Sequence, residues 1–270
     1  KKRDAEKMQK LHKLIKPFIL RRLKSQVATD LPEKVESIAY SEMSEAQEIA
    51  YEEAKAFYRN SILESIDKDG INKSQFIVLQ GLTKLRQIAN HPSMVDPDYE
   101  QDSGKFEDIL QRLQTILSEG HKVLIFSQFI KHLDLLRTNL DAKKTHYAYL
   151  DGSTKNRQEQ VELFQNNPNI KLFLISLKAG GVGLNLTAAD YVFILDPWWN
   201  PAIEAQAIDR AHRIGQDKTV FTYKFISKNT VEEKILALQQ SKKQLADGLI
   251  SSEESFIKTL SKEDVLNLLL

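Results

Sequence analysis

The stretch KLFLISLKAGGVGLNLTAADYVFILD, residues 171–196, decides the fold. Two short, almost uninterrupted apolar runs, KLFLIS and YVFILD, flank a glycine-rich loop. A strand with one wet face alternates apolar and polar residues, and these do not, so both of their faces are covered. Working outward, the same type of strand recurs at KVLIF (122–126), HYAYLDG (146–152) and VFTYKFIS (220–227). Between them lie amphipathic segments: FEDILQRLQTILSEG ending at Gly120, the run from Gln128 to about Leu140, and STKNRQEQVELFQ. Asn200 caps a further helix with Pro201 at its first position, PAIEAQAIDRAHRI, which Gly215 is placed to stop. Thr230 and Glu233 form a capping box that opens the helix VEEKILALQQSKKQLADGLI. Strands and helices in this alternation predict an α/β fold, a mostly parallel sheet with helices on both faces.

Ahead of this region the pattern is helical from residue 5 to about 92, in LHKLIKPFILRRLK, EAQEIAYEEAKAFYRNSILESI and SQFIVLQGLTKLRQIAN, with DKDGINK as a turn. HPSMVDPDYEQDSGK, rich in Pro and Gly, is the expected domain boundary.

Composition narrows the function. The 270 residues, 41% hydrophobic, suffice for one large domain or a core with an extension. With no cysteine, disulfides and thiolate metal sites are excluded, and no metal site is expected in this chain. No apolar run approaches the ~18 residues of a membrane span, and the basic start has no signal-type apolar segment behind it. The chain begins on Lys1, so it is expected to be a piece of a longer polypeptide. A net charge of +1 gives no overall field for nucleic acid, although residues 1–24 hold ten Lys or Arg against Asp4 and Glu6. A solvated amphipathic helix explains that cluster equally well.

In parallel sheets ligands sit at the carboxyl ends of the strands. Three loops there carry unusual residues: Phe126-Ser127-Gln128, Asp151-Gly152-Ser153-Thr154, and Ser176 to Asn185 with Lys178, Ala179, Gly180, Gly181 and Gly183. Hydroxyls, amides and glycine-exposed backbone N–H groups can cradle phosphate. Taken singly, the glycines can equally supply positive φ and Ser153 a helix cap. Gly104-Lys105 is not a phosphate-binding P-loop, since Tyr99 and Phe106 stand where its first Gly and its Ser or Thr belong. GGVG is not GxGxxG, and Asp196, followed by Pro197, reads as structural. On the helix QAIDRAHRIGQ, Gln206, Arg210 and Arg213 fall within about 60° of one another at ~100° per residue. They either pair with Glu204 or Asp209 or meet an anion such as a nucleotide γ-phosphate, which arginine grips as a fork.

The runs LIFSQF, YLDGST, SLKAGGVGLNLTAADYVFILDPWWNP and QAIDRAHRIGQ resemble motifs of the Swi/Snf-type ATPases, the chromatin-remodelling branch of superfamily-two helicases. KPFILRRLK, LPEKVE, Gln47 with Tyr51, and LRQIANHP resemble that family's bridge and protrusion, with Ala89 where many members have Cys. The resemblance implies the second, RecA-like lobe of a two-lobed motor: a basic bridge over 1–30, an α-helical protrusion over 31–100, the RecA-like lobe over 104–228 and C-terminal helices over 229–270. It implies that ATP and Mg²⁺ are held mainly by the other lobe, and that Arg210 and Arg213 are arginine fingers with Gln206 beside them. Ser127, Gln128, Gly152, Ser153, Lys178, Ala179 and Gly180 would grip duplex DNA, with Trp199 near the minor groove and Gly183 and Asn185 linking the two sites. Core packing is the competing reading for Trp198 and Trp199, and is expected for at least one of them.

The function so implied is a DNA-stimulated ATPase that translocates on duplex DNA, this lobe alone being inactive. Its partners would be DNA, the first lobe and DNA-bound proteins, with no membrane. The compact protrusion and the final IKTLSKEDVLNLLL resemble prokaryotic members, which implies a cytoplasmic, nucleoid-associated protein; a eukaryotic one would be nuclear. The alternative is a non-catalytic DNA- or protein-binding module whose first lobe is degenerate or lost.

Overall fold

The computed structural model describes residues 31–181, 183–241 and 257–269. The chain divides into two units, Lys1–Leu31 and Pro32–Leu270. The basic bridge expected over 1–30 lies outside the described residues, as does the tail of the helix expected to run to residue 250.

The second unit opens on a strand, β1 (Lys34–Ser41), which leads into two long helices, α1 (Glu45–Asp69) and α2 (Ile71–Asn90), abutting at Gly70. Next come α3 (Gly104–Ser118), β2 (Val123–Ser127), α4 (Ile130–Ala142), β3 (Ala148–Leu150), α5 (Arg157–Asn166), β4 (Leu172–Ser176) and β5 (Tyr191–Ile194). The series ends with α6 (Pro201–Ile208), β6 (Val220–Ser227), α7 (Val231–Ser241) and α8 (Lys262–Leu269). Six strands form one sheet in the order β1-β6-β5-β2-β4-β3. Every pairing is parallel.

The apolar strands are explained by two cores on opposite faces. Leu124, Phe126, Phe173, Ile175, Val192 and Ile194 pack on one side with Phe164 of α5 and Ala207 and Ile208 of α6. The intervening Val123, Ile125, Leu172, Leu174 and Phe193 face α3 and α4 on the other. Each such side chain, fully removed from water, stabilises the fold by ~1.5–3 kcal/mol. A third core joins α1, α2, α7 and α8 through Ile62, Leu82, Leu85, Ile235 and Leu268.

Two elements differ from the sequence reading. Residues 34–41, inside the region read as helical, form β1, an edge strand paired with β6 from Lys34↔Val220 to Ser41↔Ser227. Only Ala39 and Ser41 of it are buried, so it shows no apolar stripe. The helix after Asn200 starts as expected, the Asn200 side chain accepting from the Ala202 N–H at 2.9 Å, but ends at Ile208 rather than near Ile214. Carbonyls that would carry it on are taken elsewhere: that of Arg210 accepts from the Leu186 N–H at 3.0 Å, and that of Ala211 from Gln216 Nε2 at 3.0 Å.

The capping box of α7 forms one residue displaced. Thr230 Oγ1 accepts from the Glu232 N–H, while Glu233 reaches back to the N–H of Asn229 rather than of Thr230. Lys105, of the rejected P-loop, is fully buried. Its Nζ lies 2.7 Å from Glu232 Oε2 and 2.9 Å from Asn90 Oδ1, tying α3 to α2 and α7.

Candidate nucleotide and DNA site

Parallel register places the ends of β2, β4 and β3 on one edge, with Ser127 level with Ser176. The three loops singled out in the sequence therefore share that edge. They differ in what they present.

After β2, the loop is held from within. Ser127 is fully buried, its hydroxyl donating to Asp196 Oδ2 at 2.7 Å and accepting from the Phe129 N–H at 3.0 Å. Asp196 Oδ1 accepts the Gln128 N–H at 2.8 Å. The Ser127 side chain is thus turned inward, contrary to the expectation that it grips DNA; its hydroxyl shapes the loop that carries half-buried Gln128. Asp196 is structural, as its sequence context suggests. Burial raises its carboxyl to about pKa 7, opposed by the charge of Arg86, the Gln128 N–H, the Ser127 hydroxyl and the charge of Lys105.

The loop after β3 is a self-contained turn. Asp151 Oδ1 accepts from the Ser153 N–H and hydroxyl, both at 2.8 Å, and from the Thr154 N–H at 3.0 Å. Burial pushes the Asp151 pKa up, but these donors, with the Thr154 and Tyr149 hydroxyls, hold it below its ordinary value. Gly152 and Ser153 remain exposed at the tip.

After β4, Lys178 is exposed, whereas Ala179 and Gly180 are buried. A Cβ on Gly180 would lie 3.1 Å from the Phe126 ring, so glycine there allows close packing. Gly183 has φ +48°, the left-handed region that favours glycine, and stands exposed with Asn185.

The arginines follow α6 on an irregular turn, so they and Gln206 do not share one helix face as the sequence reading expected. Gln206 is exposed on α6, Arg213 is exposed, and Arg210 is 9% exposed. Burial lowers the Arg210 pKa most, the charge of Arg213 lowers it further, and Asp209 opposes both. Glu204, one of the two carboxylates weighed as partners for them, is engaged by Lys224 Nζ at 3.0 Å and the Trp198 N–H at 2.7 Å. The turn is joined to the glycine loop, for Arg213 Nη1 lies 3.5 Å from the Leu184 carbonyl and the Leu186 N–H bonds Arg210. Gln216 Nε2 secures the same segment through Thr187 and Ala189.

Both tryptophans are buried. Trp198 (6% exposed) packs against the α6 side of the sheet and Trp199 (1%) joins the helical core. Trp199 therefore presents no side-chain surface to a groove in this structure, and core packing describes the pair. Sequence reasoning gave no role to Arg86, which meets the Trp199 ring at 4.9 Å; a cation in an otherwise apolar helical stripe was the available signal.

Residues 104–215 match the helicase conserved C-terminal domain, and residues 1–94 the SNF2-related domain. The C-terminal domain of the Sulfolobus solfataricus SWI2/SNF2 ATPase superposes with a TM-score of 0.71 at 32% identity, over 87% of this chain and 98% of that one. The Sulfolobus solfataricus SWI2/SNF2 ATPase core in complex with dsDNA gives 0.73 at 34% identity, over 96% of this chain and 55% of that one. An uncharacterized ATP-dependent helicase of Mycoplasma genitalium is 38% identical over 99% of this chain and 26% of its own. Mouse chromodomain-helicase-DNA-binding protein 1-like is 38% identical over 92% and 28%. The chain thus spans about a quarter of the length of the curated relatives it matches. Sheet topology, motif placement and near-complete coverage of a solved relative agree that the chain belongs to the SWI2/SNF2 ATPase family of superfamily-two helicases, as its C-terminal lobe.

Proposed function

We propose that this chain is the second motor lobe of a DNA-stimulated ATPase that translocates on duplex DNA. The observation that carries this is the arginine turn. Arg210 and Arg213 stand three residues apart on one turn that is tied to the glycine loop, and Arg213 makes no ion pair among the described residues. Such an arrangement suits a polyanion, and a planar, permanently charged fork suits a γ-phosphate. ATP and Mg²⁺ would be held mainly by a first lobe elsewhere in the polypeptide. On lobe closure Arg210 and Arg213 would face the transferring phosphoryl group and stabilise its charge, with Gln206 at the margin. Arginine fingers contribute about 10³–10⁵ in rate, or roughly 4–7 kcal/mol.

The DNA grip falls to half-buried Gln128 and exposed Gly152, Ser153 and Lys178, with the backbone of the loop through Ala179 and Gly180. Such contacts read phosphate and not sequence, so binding weakens as salt rises. Gly183 and Asn185 would couple that grip to the arginines, and the Leu184 carbonyl, which accepts from Arg213, and the Leu186 N–H, which donates to the Arg210 carbonyl, supply a physical link. Hydrolysis would loosen the arginine contacts, shift this loop and release the grip, giving a step along DNA. The relatives span prokaryotic helicases and eukaryotic chromatin proteins; we favour the prokaryotic setting, at the nucleoid.

The test is DNA-stimulated ATP hydrolysis by the full-length polypeptide beside its Arg210→Ala and Arg213→Ala variants, with DNA binding measured in parallel. Each variant is expected to lose turnover about 10³-fold or more while retaining DNA affinity. Unchanged turnover would remove the finger role; a wild type without ATPase activity would leave a binding module.

A further inference from the structure

Resting on the DNA-motor reading, we infer that Arg86 is a positioning residue that fixes the Gln128 loop of the DNA grip, directly through Phe129 and indirectly through the neighbouring loop after β5. Arg86 belongs to the helical hairpin, on α2, yet its side chain is fully buried where the hairpin meets the sheet edge. Its guanidinium carbon lies 5.3 Å from the Phe129 ring centroid on one loop and 4.9 Å from that of Trp199 on the other. Nη2 donates to the Pro197 carbonyl. Beside Pro197, the Asp196 carboxylate takes the Gln128 N–H and the Ser127 hydroxyl. One side chain from the hairpin therefore touches both loops, and the loops are joined to each other through Asp196.

An apolar side chain would fill this space without desolvating a cation. What guanidinium adds is geometry: a flat group that lies against two aromatic rings and donates in its own plane, which neither lysine nor an aliphatic residue reproduces. The backbone is equally well fixed. Leu82 and Leu85 on the same helix are fully buried, and the Arg86 carbonyl accepts from Asn90 Nδ2 at 2.7 Å. From this fixed backbone the Arg86 guanidinium meets Phe129 and Trp199, and through Pro197 and Asp196 it bears on the Gln128 backbone. The hairpin sets the shape of the grip without touching DNA there.

The experiment measures binding of a short, fluorescently labelled duplex of arbitrary sequence to the full-length polypeptide, by anisotropy, below the unfolding temperature of every variant. Arg86→Gln is expected to raise Kd about tenfold, the effect of losing one or two well-aligned hydrogen bonds. Arg86→Lys, which restores charge without the planar stack, should fall between it and wild type. Phe129→Leu, which removes one ring and leaves α2 intact, should weaken binding in the same direction, and the double variant should be no weaker than the worse single. Leu82→Ala, a core deletion on the same helix, should lower stability and leave Kd unchanged. Wild-type affinity in both Arg86→Gln and Phe129→Leu would overturn this inference and leave the motor reading standing. Equal weakening by Leu82→Ala would overturn it too, since general loosening would then explain the effect. A wild type that does not bind duplex DNA would overturn the motor reading and this inference with it.

Discussion

Replacing Asp196 by Asn should remove a pH dependence of stability that the wild type carries. The Asp196 carboxyl is fully buried, and burial lifts its pKa from an ordinary 3.8 to about 7. A carboxyl that binds its proton more tightly folded than unfolded favours the fold at low pH. That advantage is lost as pH rises through the folded value. Between pH 5 and 8 the unfolded carboxyl is ionised throughout, whereas the folded one ionises only around 7. Linkage over that interval amounts to a loss of about 2–3 kcal/mol. Asparagine keeps an oxygen for the Gln128 N–H, and the Ser127 hydroxyl can turn to accept from the amide, so the loop retains its hydrogen bonds. Buried His132 and His91 titrate with the opposite sign, burial holding both below their ordinary values, so the wild-type profile alone is uninformative. The measurement is urea unfolding of wild type and Asp196→Asn in parallel across pH 5–8, in which the histidines cancel. Wild-type stability relative to the variant should fall by about 2–3 kcal/mol from pH 5 to pH 8. A difference that stays constant would refute the reasoning, by showing that Arg86 and the hydrogen bonds from the β2 loop hold the carboxylate ionised throughout.

Lys105→Met should cost about 3–5 kcal/mol in the same unfolding assay, because it leaves the Glu232 carboxylate buried without its cation; a cost below about 1 kcal/mol would show the pair to be energetically idle. Gly183→Ala should cost about 1 kcal/mol from its φ of +48° alone, since an added Cβ meets nothing within 4 Å. Gly152→Ala, with equally open space and no positive φ, should stay within about 0.5 kcal/mol of wild type, which urea midpoints will check.

The elements that could be read locally were those whose pattern follows from backbone geometry. KVLIF, KLFLIS and YVFIL are apolar on both faces because both faces are covered, and that much is written in the residues themselves. Asn200 and Pro201 announce a helix start for equally local reasons, a side-chain oxygen and a fixed φ. β1 could not be found this way. Lys34 to Ser41 lies at a sheet edge with its outer positions exposed, so burial stamps no period on it. Its strand conformation comes from hydrogen bonds to β6, far along the chain. The end of α6 is similar: the helical sequence pattern runs on past Arg210 and Ala211, but Leu186 and Gln216 claim their carbonyls.

The same division runs through the site. The sequence alone determined which loops lie at the strand ends, because strand direction settles it; it put Arg210 and Arg213 on one helix face, whereas the fold sets them on an irregular turn past Ile208. Only the tertiary structure decided which way individual groups face. Ser127 turns its hydroxyl to Asp196, Trp199 is covered by Arg86, and Glu204 goes to Lys224 rather than to the arginines. Each of these outcomes depends on a partner delivered by another element, and a buried polar group takes whichever partner the fold brings within reach. Local periodicity carries no record of that partner.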